Sequence, residues 1–167
     1  MKMFSIPTSP IPRLALLVAV SCVLLAGCGE EPGHEHGNDH ETSEHTHDAR
    51  HGGIAVVLGD EEFHVEFTHG EAPGVLQAYV FDGHMENYVR SAMPAFSATV
   101  LDGDLSLPVV FAAIADTATG ETVGDTALFE ATAAGLHGRP AVTLHVPELV
   151  VRGITYNNIK AEVPAAK

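Results

Sequence analysis

Thiols, tryptophan and basic side chains are scarce in this sequence, and each shortage removes a class of function. Its two cysteines are Cys22, inside an apolar leader, and Cys28, at the leader's end. The rest of the chain therefore offers no thiol for a disulfide, a nucleophile or a zinc-finger-type site. Any metal has to be held by nitrogen and oxygen, or by methionine sulfur. Eight lysines and arginines face 22 aspartates and glutamates, a net charge of −14. So acidic a surface repels nucleic acid and anionic membrane and attracts cations, and no nucleic-acid partner is expected. Catalytic motifs are missing as well: there is no G-x-S-x-G elbow, P-loop, GxGxxG or HExxH. A histidine with carboxylates beside it is not an active site without a pocket to shift their pKa values. The sequence reads as a binding protein, not an enzyme.

Lys2 and Arg13 are the only charged residues before Cys28. Without them six cations face 22 acids, or −16. From Leu14 to Ala26 the chain is apolar, ending Leu25-Ala26-Gly27-Cys28. A run of about 13 residues falls short of the roughly 20 needed to cross a bilayer and fits the core of a signal peptide. The four closing residues resemble the lipobox of bacterial lipoproteins. That resemblance implies diacylglyceryl transfer to Cys28, cleavage before it and acylation of the new amine, and two or three acyl chains hold a protein stably on a membrane. Gly29 stands where an aspartate resembles an inner-membrane retention cue in some bacteria. The expected location is the cell envelope, facing the periplasm, on the outer membrane rather than the inner.

Residues 28–50 follow as a linker in which nothing can pack. Six of the eleven histidines lie at His34, His36, His40, His45, His47 and His51, interleaved with Glu35, Asp39, Glu41, Glu44 and Asp48. A stretch so poor in apolar surface cannot offset its ordering entropy, and disorder is expected. Imidazole nitrogen is the commonest protein ligand for zinc, copper(II) and nickel, and the acids add negative potential. In a chain without fixed geometry, three or four imidazoles can gather round one ion at an entropic cost. That predicts modest affinity and an order close to Irving–Williams, copper(II) above nickel and zinc. The alternative is an acidic spacer that only holds the domain off the membrane.

From 51 to 167 the pattern changes to short apolar runs of period two, broken by Gly, Asp, Asn and Pro. Strands are expected at 54–58, 62–68, 75–81, 96–101, 105–114, 127–132, 140–146, 149–151, 154–156 and 159–163, with Pro108 marking an edge or bulge. Asp82-Gly83 signals a hairpin turn. The spacing predicts an all-β fold, a small antiparallel β-sandwich or barrel-like domain. Helical turns are expected only at 92–98 or 131–136.

In 62–68, Phe63, Val65 and Phe67 alternate with Glu62, His64 and Glu66, a half-buried strand with three potential ligands on its polar face. His64 and Glu66 are close enough to share an ion or to receive one from the linker. His84, after the Asp82-Gly83 turn, joins them if the register allows. The bland reading is a solvated sheet face. His69 and His137 fall in turns, and His145 points away from the apolar face of Leu144 and Val146.

Together, the lipobox, the His-rich linker, His51-Gly-Gly, Glu62-Phe-His-Val-Glu66 and Phe81-Asp-Gly-His84 resemble a class of bacterial lipoproteins with a His-rich linker and a small β domain. Such linkers also occur in zinc-binding capture lipoproteins and in accessory proteins of heavy-metal efflux, although this chain is too short for a two-lobed capture protein. The resemblance implies a membrane partner through the lipid and metal transport or efflux components as possible protein partners.

Overall fold

The computed structural model describes residues 47–165. The expected leader, the expected lipidation at Cys28, and His34, His36, His40 and His45 lie outside them. The described residues fall within one compact unit. Eight strands make one antiparallel sheet: β1 (Ile54–Leu58), β2 (Phe63–His69), β3 (Val75–Asp82), β4 (Ala95–Asp102), β5 (Leu105–Ala113), β6 (Leu128–Thr132), β7 (Val142–Val151) and β8 (Ile154–Val163). The expected all-β class is what the structure has. A single 3-10 turn, Ala134–Leu136, accompanies them. Among the described residues no helix is long and apolar enough to cross a membrane.

The strand order is β1-β2-β3-β6-β5-β4-β7-β8. Strands β1 to β3 form a meander. Strands β4 to β6 form a second one, and β3 and β7 close it on either side in two overlapping Greek keys. The two edges, β1 and β8, come alongside each other, so the sheet is nearly a closed barrel. Phe67, Phe111 and Phe129 fill its interior with Leu58, Leu76, Leu144 and Leu149, all essentially inaccessible to solvent. Period-two patterning drives this arrangement, since alternate residues of each strand share the apolar interior.

The last four expected strands at 140–163 are two. Val146 pairs with Ile159 and Glu148 with Asn157, so one register runs through Pro147 and Asn158. Asn158 adopts the left-handed region at φ 57, opposite a proline that has no N–H to give. The inward positions step from Val146 to Leu149 and from Tyr156 to Ile159, three residues instead of two. This shared phase shift breaks the alternation without ending either strand. Pro147 lies beyond the part of β7 that pairs with β4. Pro108 likewise lies outside the Ala112–Ala113 stretch of β5 that pairs with β6, which is how an internal strand tolerates it.

The Asp82-Gly83 turn does not open a hairpin of two full strands. The chain turns there and bridges back only at Phe81–Tyr88, and the lasting partner of β3 is β6. Asp82 holds the turn, accepting from the Glu86 N–H at 2.8 Å and from Asn87 Nδ2 at 2.7 Å.

Tyr156 closes the seam of the barrel. Its hydroxyl donates to Glu62 Oε2 at 2.8 Å, and its ring meets Phe63 edge-on at 6.5 Å. Burial, then the Glu62 carboxylate, pushes the phenol up to about 12. With a folded pKa above the unfolded value of about 10, this group stabilises the domain fully below pH 10. The contribution is lost as pH rises through about 12. Tyr156→Phe should cost about 1–2 kcal/mol in urea unfolding at pH 8. It should also flatten the decline in stability above pH 10.

Candidate functional site

The outer face of β2 is covered. His64 and Glu66 are both 0% exposed, and Thr68 is buried too, so the expected half-buried strand with a solvated polar face is instead buried on both sides. The cover is the segment from His47 to Gly53, folded back over the sheet, together with the loop after β3. Residues 47–50, assigned to the linker from composition, are part of this cover.

Glu66 is the hub. Its Oε1 accepts the N–H of His51 at 2.7 Å and of Gly53 at 3.1 Å. Its Oε2 accepts the N–H of Arg50 at 3.0 Å and His51 Nδ1–H at 3.0 Å. Four donors converge on one carboxylate because the two glycines let the chain turn: Gly52 sits at φ 76, and a Cβ on Gly53 would run into the carbonyl oxygen of Phe67. Thus His51-Gly-Gly and Glu66 are one device that fastens the incoming chain to the sheet.

The rings around it pack in a stack. His51 lies on Tyr79 at 3.8 Å, nearly parallel, and its Nε2 is 3.0 Å from the Tyr88 hydroxyl. Tyr88 stacks on Phe81 at 4.8 Å. The Arg50 guanidinium sits over both Phe81 and Tyr88 and donates to the carbonyls of Met85 and Glu86 at 3.2 and 2.8 Å. Both nitrogens of His51 and both oxygens of Glu66 are therefore engaged.

His64 is not. Its Nδ1 lies 3.3 Å from the carbonyl oxygen of Asp82, and its Nε2 is buried with no hydrogen-bond partner among the described residues. Burial pulls its pKa below the ordinary value, against the upward pull of the Asp82 carbonyl and of the Glu61 and Asp82 charges. The neutral ring that results is the form that ligates metals. His47 meets it edge-on, ring centres 4.7 Å apart.

The register sets His64 opposite Phe81, and so brings His84, just past the end of β3, to the same end of the β2–β3 pair. His84 itself is exposed. His69 is the last residue of β2, not a turn residue, and its Nε2 is also buried and unpartnered. His137 caps the 3-10 turn, and His145 is half-buried on β7. Met93 Sδ accepts the Val150 N–H at 3.3 Å. Among the described residues no group of three or more His, Cys, Asp or Glu side chains is placed to hold a metal ion together.

Beyond Tyr88 opens a cleft of about 430 Å³ lined by Tyr79, Tyr88, Arg90, Asp116, Thr119 and Glu121 among others. Arg90 is already held there by Asp125 at 3.0 Å and the Thr119 carbonyl at 2.7 Å. Sequence reasoning missed Arg50, Tyr79 and Tyr88. None belongs to a motif, and the overlay of 47–53 on β2 that unites them is a long-range contact. No protein family, curated protein or solved structure matches this chain.

Proposed function

We propose that this is a lipid-anchored protein of the bacterial cell envelope, fixed through Cys28, whose acidic His-rich run binds divalent transition metal for buffering, delivery or support of efflux. One observation carries the reading: six imidazoles and five carboxylates fall within residues 34–51 of a chain that has no thiol after Cys28. Zinc, copper(II) and nickel are the ions such a donor set takes. The ligands assigned to the run are His34, His36, His40 and His45. His51 and Glu66 are left out, since their polar atoms serve the clamp on β2. Binding is the role proposed, not catalysis, with the membrane and metal transport components as partners. The Glu66 clamp favours a second reading, an interaction lipoprotein whose run is only a spacer, because a spacer too needs a firm point of attachment.

Isothermal titration of the chain from Gly29 onward with Zn²⁺, Cu²⁺ and Ni²⁺ separates the two. Dissociation constants below about 100 μM at pH 7.5, some 5.5 kcal/mol of binding, are expected, with copper tightest. Replacing His34, His36, His40 and His45 by Ala should weaken them at least tenfold. Binding no tighter than about 100 μM for any of the three ions leaves the spacer.

A further inference from the structure

We propose that His64 Nε2 and His47 form a second, separate seat for a divalent transition metal on the β domain itself, its remaining coordination positions open to water. The inference rests on the metal-binding reading above, but its support is independent of the run's composition.

The first support is an unfilled acceptor. A carbonyl oxygen can only accept, so the 3.3 Å contact between His64 Nδ1 and the Asp82 carbonyl puts the proton on Nδ1. The lone pair is thereby left on Nε2, which is covered and meets no donor. An orphan of this kind is costly to keep covered, and the side chain that bears it is 0% exposed. Histidines that ligate metals are held in this way, donating the far ring N–H to a carbonyl or carboxylate so that tautomer and orientation are set in advance.

The second support is a neighbour of the same kind. His47 lies with its ring centre 4.7 Å from that of His64, edge against face. Two nitrogens on one tetrahedral ion with bonds of about 2.0–2.1 Å stand roughly 3.3 Å apart. The His47 side chain, half-buried and outside any strand, is the part that has to turn to reach that spacing. The charges of Glu61 and Asp82 act on His64 and favour a cation beside it. His51 makes the contrast: with Nδ1 on Glu66 and Nε2 on Tyr88 it has no lone pair to give. Two neutral imidazoles with open positions make a weaker and faster-exchanging site than a closed four-ligand one, suited to receiving and releasing an ion.

The test uses the chain from Gly29 onward with His34, His36, His40 and His45 replaced by Ala, titrated with Zn²⁺ while the imidazole nitrogens are followed by NMR. One equivalent should move the His64 Nε2 resonance and leave Nδ1 protonated. Adding His47→Ala, at the domain's surface, should weaken the remaining zinc binding at least tenfold with the amide spectrum otherwise intact. Adding His64→Ala should do the same, and His145→Ala should change nothing. An unmoved His64 Nε2 resonance, or residual binding indifferent to His47→Ala, overturns the seat. If the unaltered run binds zinc while the four-alanine chain binds none, the seat falls and the reading of the run stands. If the four-alanine chain binds as tightly as the original, the run reading falls instead and the seat is left as the site.

Discussion

Glu66→Ala should destabilise the domain by about 3–5 kcal/mol, because it takes the acceptor from four covered donors at once. The two carboxylate oxygens serve the N–H groups of Arg50, His51 and Gly53 and the ring N–H of His51 at 2.7–3.1 Å. Truncation strands all four, and each stranded donor that stays covered costs about 1–3 kcal/mol. Water reaches the site only if residues 50–53 lift off, and lifting exposes the outer face of β2. Either way the loss is large. For a domain of this size it should lower the melting temperature by more than about 10 °C, at some 3–5 °C per kcal/mol.

Glu66→Gln distinguishes a clamp from mere filling of space. The amide has the volume of the carboxylate but only one acceptor oxygen, so its NH₂ faces at least one backbone N–H donor wherever it turns. A loss of at least about 2 kcal/mol in urea unfolding is expected. Hydrogen exchange should locate it, with the amides of Arg50, His51 and Gly53 exchanging faster than those of β7 and β8. A Gln variant as stable as the original, with those three amides still protected, would mean that the four contacts contribute nothing.

The alternation in 62–68 was legible as a strand, while its register against 75–82 was not and is set by the structure. Its burial was not legible. Period two tells which residues share a face, while whether that face meets solvent depends on what else folds over it. Here the cover is a polar stretch whose composition signals a linker. His51, Arg50 and the glycines read as loop residues until the carboxylate that organises them is placed 13 to 16 positions away. The strands at 142–163 failed for a different reason. Pro147 and Asn157-Asn158 are good turn signals, and the inward residues lose their phase at that point, yet the two disruptions face each other across one hairpin and cancel. A local reading cannot see compensation between partners. The aromatic interior, by contrast, was readable in part: Phe67 sits on the apolar face of the alternating strand at 62–68, whereas Phe96, Phe111 and Phe129 fall in expected strands whose inward faces only the structure assigns.

Phe111→Ala tests that interior and should cost about 3–5 kcal/mol, the range for removing a buried phenyl ring. The ring is fully buried on β5. It stacks on Phe96 of β4 at 4.9 Å, nearly parallel, and meets Phe67 of β2 edge-on at 5.9 Å. Phe96 in turn meets Phe129 of β6 at 5.3 Å. Four strands that are not all sequence neighbours thus share one aromatic cluster. The ladder between β5 and β6 is short, with only Ala112–Glu130 and Ala113–Phe129 in register, so side-chain packing has to hold that side of the barrel. Val110 is the control: next in sequence, pointing outward and 59% exposed. Val110→Ala should stay within about 0.5 kcal/mol. Because the Phe111 deletion acts on the centre of the barrel, it should speed the exchange of β2, β4 and β6 amides together, where Glu66→Ala acts first on residues 50–53. Equal losses for Val110→Ala and Phe111→Ala in urea unfolding would mean that β5 does not present Phe111 to the interior, and the strand order around it would have to be redrawn.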